Sequence, residues 1–388
     1  MASYYTRLAI SHYSLQRHIS FQCLRRRNFV VFAIETSCDD TSVAVLHSPS
    51  SSPFAATLLA HKTTTSPNRI YGGINPLVSL EFHRSHLATL ISSVLPSLPN
   101  QRKPDLVAVT RGPGMLGALA VGLDTAKGLA LAWGIPLIGV NHMQAHALTP
   151  RLLSALRNGE EKTECGVLAP AFPFMTLLVS GGHTMVVKSS GLTDHTILAK
   201  TIDIALGDMV DKCARTILPT EVLKQRGDAV AYGAVLEDYC FSGREGEDDV
   251  YQYHVDGSAA RELDDRMHLE KWGDWKLSKP LTKTGLAKKL MEFTFCGLGS
   301  TVDRYFETKA VPGEENISEQ ERKELGRELM MLAFEHVASR VVMGLDSLND
   351  DERRAVKHLV VSGGVAANKF LKHMWGILNP SSESKLTK

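Results

Sequence analysis

The sequence predicts a mixed α/β protein with two lobes, residues 31–150 and 151–378, and a ligand-binding cleft between them. Three observations lead to this prediction. The 388 residues exceed what one compact core usually holds. Residues 106–140 read as strand, glycine turn, helix and strand, which is the crossover unit of α/β proteins. The strand and glycine turn then recur in the second half of the chain, as VSGGHT and VSGGVAAN.

The first lobe begins with a strand, a polar turn and a second strand in VVFAIETSCDDTSVAVL, residues 30–46. Apolar residues at helical spacing predict a helix over 78–95. A short buried strand at 106–110, a helix of small residues at 118–133 and a strand at 136–140 complete this lobe.

In the second lobe, FMTLLVS and MVVKS predict a hairpin, and helices are expected over 204–218 and 322–345. HLVVSGGVAANKFL predicts a further strand, glycine turn and helix. Residues 242–270 carry many acids and few apolar residues, which indicates a surface insertion. Residues 379–388 are polar and are predicted to form a tail.

Residues 1–30 have the composition of a mitochondrial transit peptide, with five arginines, no acid and no long apolar run. Of the 43 Lys and Arg residues these five lie in the leader, which leaves 38 against 42 acidic residues. The remaining chain is therefore not globally basic, and a nucleic-acid partner needs a local patch. No 18 consecutive residues are apolar, so membrane insertion is not expected, and the six scattered cysteines are predicted to be free thiols.

Three glycine turns follow predicted strands: RGPGMLGA (111–118), VSGGHT (179–184) and VSGGVAAN (361–368). Glycine lets backbone amides approach an anion closely, although one such turn is usually plain turn chemistry. Three of them favour a site for a nucleotide or another phosphate-bearing ligand. Neither Walker A nor GxGxxG occurs, which argues against a P-loop ATPase and against a dinucleotide enzyme.

The segment NHMQAHAL contains His142 and His146, four residues apart directly after a predicted strand. On a helix this spacing places both imidazoles on one face, where they can share a metal ion. A pair at this spacing is by itself more often incidental. Neither Met143 nor Gln144 supplies the carboxylate base of HExxH, so zincin-type peptide hydrolysis is disfavoured.

Acidic and hydroxyl residues in two further places are candidate contacts. Glu35, Ser37 and Asp39 in the first turn are candidates for contact with phosphate or metal-bound water, although such residues usually cap backbone amides. Asp211 lies on a predicted helix, where the alternative is a salt bridge with Lys212 or Arg215. Spacing alone leaves this choice open.

Taken together, these segments resemble the tRNA N6-adenosine threonylcarbamoyltransferase family. AIETSCDDTSVAV is similar to its first phosphate motif, and KGLALAWGIPLIGVNHMQAHAL is similar to its signature. LLVSGGHT, VDKCAR, FTFCGLGSTV and LVVSGGVAAN follow in the family's order. The resemblance runs from about residue 31 to 375, and the leader indicates the mitochondrial branch.

The resemblance implies the two-lobed actin-like, sugar-kinase-like fold, with His142 and His146 binding one divalent ion, iron or zinc. It implies that threonylcarbamoyl-AMP is held by the positions that match the family's motifs: Leu178, Val179, Ser180, Gly181, Gly182, Asp211 and Asn368. The implied reaction moves the threonylcarbamoyl group to N6 of adenosine 37 in mitochondrial tRNAs that read codons beginning with A. The mitochondrial matrix and a homodimer are implied as well.

The chain departs from the family pattern at several positions. Asn141 and Gln144 replace a histidine and the glutamate of the family's HHMEAH, and YPGG is absent after the DKCAR helix. The C-terminal aspartate motif that supplies a third metal ligand in the family is also absent. These departures leave a second hypothesis, a truncated and catalytically impaired form that binds nucleotide and metal as an interaction protein. A metalloprotease is the weakest hypothesis.

Overall fold

The protein is described by a computed structural model of residues 28–378, apart from 53, 69–70, 72, 162–167, 226–230, 243–250, 252, 254–274, 276, 282–289 and 310–316. The predicted tail, almost all of the predicted transit peptide and most of the predicted insertion lie outside the described residues. The described part contains two five-stranded sheets, each covered by helices.

The first sheet is made of Phe29–Glu35 (β1), Asp40–Ser48 (β2), Thr57–Thr65 (β3), Leu106–Gly112 (β4) and Leu137–Asn141 (β5). Its strand order is β3-β2-β1-β4-β5. The first three strands form an antiparallel meander, while β4 is parallel to β1 and β5 is parallel to β4. The carboxyl ends of β1, β4 and β5 therefore meet at one edge, where α/β proteins place functional groups.

The second sheet is made of Phe174–Val179 (β6), Thr184–Ser189 (β7), His195–Thr201 (β8), Glu292–Phe293 (β9) and Leu359–Ser362 (β10). Its order is β10-β6-β7-β8-β9. Strands β6, β7 and β8 again form an antiparallel meander, with β10 parallel beside β6. The second sheet thus repeats the arrangement of the first four strands of the first sheet. This duplication confirms the predicted α/β class and the actin-like architecture of two lobes.

The helices that the sequence predicted are present, with shifted ends. The described part of the chain also contains helices that were not predicted, and its first five helices are Pro76–Val94 (α1), Leu116–Trp133 (α2), His142–Glu161 (α3), Leu206–Ile217 (α4) and Thr220–Gln225 (α5). The others are Tyr232–Phe241 (α6), Cys296–Lys309 (α7), Glu319–Asp346 (α8), Asp350–Ala355 (α9) and Lys369–Leu378 (α10). Helix α3 passes through the predicted lobe boundary at residues 150 and 151, and that boundary stays a prediction.

Local capping explains where several helices begin and end. Asn75 accepts hydrogen bonds from two backbone amides at the start of α1. Ser318 and Glu321 form a capping box at the start of α8. Helix α2 ends where Gly134 adopts the left-handed conformation.

Each sheet has its own hydrophobic core. Alternate side chains of β1 and β2 are buried against α1 and α2, because successive side chains of a strand point to opposite faces of the sheet. All six residues of β6 are buried, which is typical of a central strand covered on both faces. Helix α2 is long and apolar enough to span a membrane by length and composition alone. Its Ala126 and Ala130 pack into the first core.

Candidate active site

The two histidines lie next to each other at the start of α3, directly beyond the carboxyl end of β5. Nε2 of His142 and Nε2 of His146 are 3.2 Å apart, and the rings are nearly perpendicular. Because residues four apart on a helix share a face, the helix itself produces this approach. The predicted juxtaposition of the two imidazoles is therefore confirmed.

The other ring nitrogen of His142 is held by the first turn. Nδ1 of His142 lies 3.1 Å from the hydroxyl oxygen of Ser37 and 3.7 Å from a carboxylate oxygen of Glu35. An acceptor carboxylate on this side favours the tautomer with hydrogen on Nδ1, which leaves the Nε2 lone pair free. Glu35 also accepts a hydrogen bond of 2.6 Å from the backbone amide of Ser37.

Hydrogen bonds around the Glu35 carboxyl group keep it in its charged form. Burial alone would raise its pKa, but hydrogen bonds with His142, Ser37 and Thr110 outweigh burial and lower the pKa to about 2. Burial, assisted by the neighbouring charge of His142, lowers the pKa of His146. The lowered pKa of Glu35 keeps its carboxylate charged at neutral pH, and the lowered pKa of His146 favours the neutral imidazole that a metal ion needs.

This arrangement fits two of the ligands of one metal ion. Imidazole nitrogens bind zinc at about 2.0–2.1 Å, so two of them on one ion lie about 3–3.5 Å apart. The observed separation of 3.2 Å falls in that range. Glu35 lies near Nδ1 of His142, the ring nitrogen that does not face His146. Carboxylates at this position commonly orient metal-binding histidines. Within the described part of the chain, no third His, Cys, Asp or Glu completes a group of metal ligands.

A cavity of about 400 Å³ opens beside the second sheet. Its volume is in the range of small-molecule sites. Its lining includes Gly181 of the turn after β6, Gly364 and Asn368 of the turn after β10, and Asp211 of α4. Two of the three predicted glycine turns thus meet at one cavity, together with two of the predicted polar residues.

The polar wall of this cavity contains carboxylates and backbone amides. Asp211 accepts a hydrogen bond of 2.6 Å from the backbone amide of Gly233. Burial raises the pKa of Asp211, and the Gly233 amide partly opposes this effect. The salt-bridge alternative for Asp211 is wrong for one of its two partners, because Lys212 pairs with Asp208 at 3.0 Å.

Glu237 is a second carboxylate of the cavity, which the sequence did not indicate. It accepts hydrogen bonds of 2.6 and 2.9 Å from the backbone amides of Lys369 and Phe370, at the start of α10. Carboxylates at this position can accept hydrogen bonds from the hydroxyls of a ribose, and glycine amides can hold a phosphate.

The glycine turn after β10 has a steric requirement as well. Gly363 has φ +105°, and a Cβ atom there would overlap the carbonyl group of Val179. The turn after β10 therefore packs directly against the end of β6. The first glycine turn is different: a Cβ on Gly114 would lie 2.6 Å from the carbonyl oxygen of Ser37. This turn packs against the Ser37 turn and does not line the cavity, in contrast to the prediction for all three.

The sequence pattern of the family described as "TsaD: tRNA N6-adenosine threonylcarbamoyltransferase" matches residues 57–386. The chain belongs to this family. The mitochondrial tRNA N6-adenosine threonylcarbamoyltransferase of Schizosaccharomyces pombe is 35% identical over 365 residues, which cover 92% of this chain and 75% of that protein. The enzyme of the same name from Porphyromonas gingivalis is 36% identical over 193 residues, covering 50% of this chain and 52% of that enzyme.

These matches confirm the predicted family and its assignment to transferases that modify tRNA. Among solved structures, the Aquifex aeolicus PPX-GPPA enzyme is 10% identical with a TM-score of 0.32, covering 87% of this chain and 96% of that chain.

For a threonylcarbamoyltransferase, the two departures in the signature have structural roles here. The Asn141 side chain caps α3 by accepting hydrogen bonds of 2.9 and 3.1 Å from the amides of Met143 and Gln144. The Gln144 side chain donates a hydrogen bond of 2.6 Å to the carbonyl of Leu192, which joins α3 to the second sheet's loops. Neither change removes the two imidazoles.

The remaining predicted contacts of the threonylcarbamoyltransferase site lie close by but are engaged differently. The Leu178 and Val179 side chains are both buried, and Val179 belongs to the second core. The Ser180 hydroxyl accepts a hydrogen bond of 3.0 Å from the His183 amide and so stabilises its own turn. Gly182 has open space where a side chain would be, and Asp39 has no described contact with the histidine pair. The role of these residues in binding stays a prediction.

Three further residues of this site were not predicted from the sequence: Gly233, Glu237 and His183. The first two needed knowledge of which segments meet at the cavity. His183 follows Gly182 in the turn after β6, and its charge acts on His146. Burial and the charge of His142 lower the pKa of His183. A histidine inside VSGGHT, next to a glycine turn, was the signal that could have found it.

Proposed function

We propose that the chain transfers the threonylcarbamoyl group from threonylcarbamoyl-AMP to N6 of adenosine 37 in mitochondrial tRNAs that read codons beginning with A. One observation carries the proposal: Nε2 of His142 and Nε2 of His146 face each other at 3.2 Å. Family membership supplies the reaction class, and this pair supplies a place where the carbonyl can be activated.

The proposed reaction balances as an acyl transfer. The adenosine N6 attacks the carbamoyl carbon and forms a C–N bond, while the C–O bond to the phosphate breaks and AMP leaves with the electron pair. The proton released by the amine passes to solvent or a neutral imidazole. A bound iron or zinc ion would supply Lewis-acid polarisation of the carbonyl. No covalent enzyme intermediate is needed.

The chain's own residues divide the remaining work. Asp211 and Glu237 line the cavity with acceptors that suit the ribose and base of the adenylate. The amides near Gly181 and Gly364 suit its phosphate. His183 lies two residues after Gly181, which lines the cavity, and its charge acts on His146. This proximity supports a ligand that extends from the cavity towards His146.

The location and partners are part of the same proposal. The name of the fission yeast relative and the composition of residues 1–30 support a mitochondrial, matrix protein. Transfer RNA and threonylcarbamoyl-AMP are the proposed substrates, one divalent ion per subunit is the proposed cofactor, and a homodimer is the proposed assembly.

The test is modification of an unmodified mitochondrial tRNA by the purified full chain with threonylcarbamoyl-AMP, read by mass spectrometry of the nucleosides. We expect modified nucleoside with the wild-type chain and a rate at least about a hundredfold lower with His142→Ala or His146→Ala. Losing a group that stabilises charge on the reacting carbonyl typically lowers the rate by about this factor. His86→Ala, on an outer face of α1, is the matched control and should retain activity. Equal activity of all four proteins would refute the proposal.

A second candidate is a nucleotide- and metal-binding interaction protein without transfer activity. The absence of a third ligand to the histidine pair within the described ranges favours it. Such a protein would bind AMP and metal but form no product in the same assay. A metalloprotease is disfavoured because Gln144 is an amide engaged with Leu192 and has no carboxylate to act as base.

A further inference from the structure

His83 on α1 lies completely buried behind the turn that connects β1 and β2. Its Nε2 is 2.8 Å from the carbonyl oxygen of Cys38, and its Nδ1 is 2.7 Å from the hydroxyl oxygen of Thr41. A carbonyl oxygen only accepts hydrogen bonds, so Nε2 carries the hydrogen and donates. In the tautomer with its hydrogen on Nε2, Nδ1 accepts the hydrogen bond from the Thr41 hydroxyl. Both partners are thus satisfied by one tautomer.

These two bonds hold the turn that contains Ser37. Cys38 lies in this turn, and Thr41 is the second residue of β2 and is itself completely buried. On the opposite side, the Ser37 carbonyl accepts a hydrogen bond of 2.9 Å from the amide of Met115, and Thr36 donates one of 2.8 Å to the carbonyl of Ala118. The turn is therefore fixed from α1 on one side and from the start of α2 on the other.

The clamped turn leads directly to the metal-site histidine. Ser37 contacts Nδ1 of His142 at 3.1 Å, and Nε2 of the same ring faces His146. A hydrogen bond to the far nitrogen of a histidine fixes both its tautomer and its ring angle. A shift of the turn would therefore rotate or release His142.

We infer that His83 is a positioning residue of the histidine-pair site, which acts through the Cys38–Thr41 turn and Ser37 on the orientation of His142. This inference rests on the proposed function of His142 and His146 as metal ligands. The alternative is a core histidine that only fills space. The two differ in what they predict for metal affinity in a variant that remains folded.

The experiment is titration of the metal-free full chain with Co²⁺, followed through the visible absorption bands of the bound ion. We expect His83→Leu to weaken Co²⁺ binding about tenfold, since loss of a supporting partner commonly costs 10- to 100-fold in affinity. Thr41→Val removes only the hydroxyl and should weaken binding by a smaller factor. His83→Gln keeps an amide that can donate to the Cys38 carbonyl and should recover part of the loss. His86→Gln, three residues along the same helix, should bind as the wild type does.

The outcomes separate the inference from the proposed function. If His142→Ala binds Co²⁺ as tightly as wild type, the ion does not use the histidine pair, and both proposals fail. If His142→Ala loses binding while folded His83→Leu and Thr41→Val bind like wild type, only the inference about His83 fails. Circular dichroism establishes folding, and if His83→Leu does not fold, Thr41→Val and His83→Gln decide the question.

Discussion

Replacing Gly114 with alanine tests the contact between the first glycine turn and the active-site turn. A Cβ at this position would lie 2.6 Å from the carbonyl oxygen of Ser37, 2.8 Å from its Cβ and 3.0 Å from its Cα. Two of these three atoms belong to the backbone, which cannot rotate away as a flexible side chain would. The same carbonyl accepts the hydrogen bond from Met115 at 2.9 Å. We expect Gly114→Ala to force the two turns apart.

The magnitude follows from two contributions. Overpacking in a tight site costs roughly 1–3 kcal/mol. Weakening the hydrogen bond from Met115 to Ser37 costs about 1 kcal/mol more. Gly128→Ala is the matched control, because no atom lies within 4 Å of a Cβ built there and the residue is inside α2. It should stabilise the chain by up to about 1 kcal/mol through helix propensity.

The assay is urea unfolding of both variants, followed by far-ultraviolet circular dichroism. Both substitutions restrict the unfolded chain in the same way, so the difference between them isolates the folded-state contact. Gly114→Ala should be less stable than Gly128→Ala by roughly 2–5 kcal/mol, which is the sum of the overpacking, the weakened hydrogen bond and the stabilisation of the control. Equal midpoints for the two variants would refute the argument that Gly114 is required by its contact with Ser37.

Three further outcomes are expected. Burial raises the pKa of Glu237, and the amides at the start of α10 partly oppose this effect. The folded chain therefore holds the Glu237 proton to a higher pH than the unfolded chain does. The free energy of unfolding should fall as pH rises from the ordinary carboxyl pKa through the raised pKa. In urea unfolding at several pH values, Glu237→Gln should lose that fall, and an unchanged profile would contradict the burial of the carboxylate. Asn141→Ala should cost about 1 kcal/mol in the same unfolding assay through loss of the α3 cap, with weaker Co²⁺ binding. Asp203 accepts hydrogen bonds from the amides of Phe295 and Cys296 at 3.1 and 3.3 Å, so Asp203→Ala should also cost about 1 kcal/mol while leaving Co²⁺ affinity unchanged. Altered metal affinity in this last variant would mean that the two regions are coupled.

Patterns local to the chain determine much of the fold. The strand–turn–strand over residues 30–46 and the later hairpin follow from runs of β-branched residues around turn residues. The approach of His142 to His146 follows from one helix, because their spacing fixes a common face. These features depend on neighbours within a few residues, so the order of residues alone encodes them.

The hydrogen-bond partner of Asp211 could not be predicted from local patterns in the sequence. Its sequence neighbours offered two salt-bridge partners, yet the carboxylate binds the amide of Gly233, 22 residues away. Because the chain lacks the YPGG motif, the sequence did not mark Gly233 as a contact residue. The packing of α4 against α6 brings Gly233 to the cavity. Glu237 could not be predicted as a site residue either, because no neighbouring residue in the chain indicates that its carboxylate binds the amides at the start of α10.

The sequence by itself thus determined the α/β class, the recurring glycine turns, the family and the histidine pair. Tertiary structure alone decided that Ser37 and Glu35 reach Nδ1 of His142 across more than 100 residues. It also decided which glycine turns line the cavity and which one packs against Ser37. The physical reason is that hydrogen-bond and steric partners of this kind are chosen by how the sheets and helices pack, and packing joins segments whose separation along the chain carries no periodic signal.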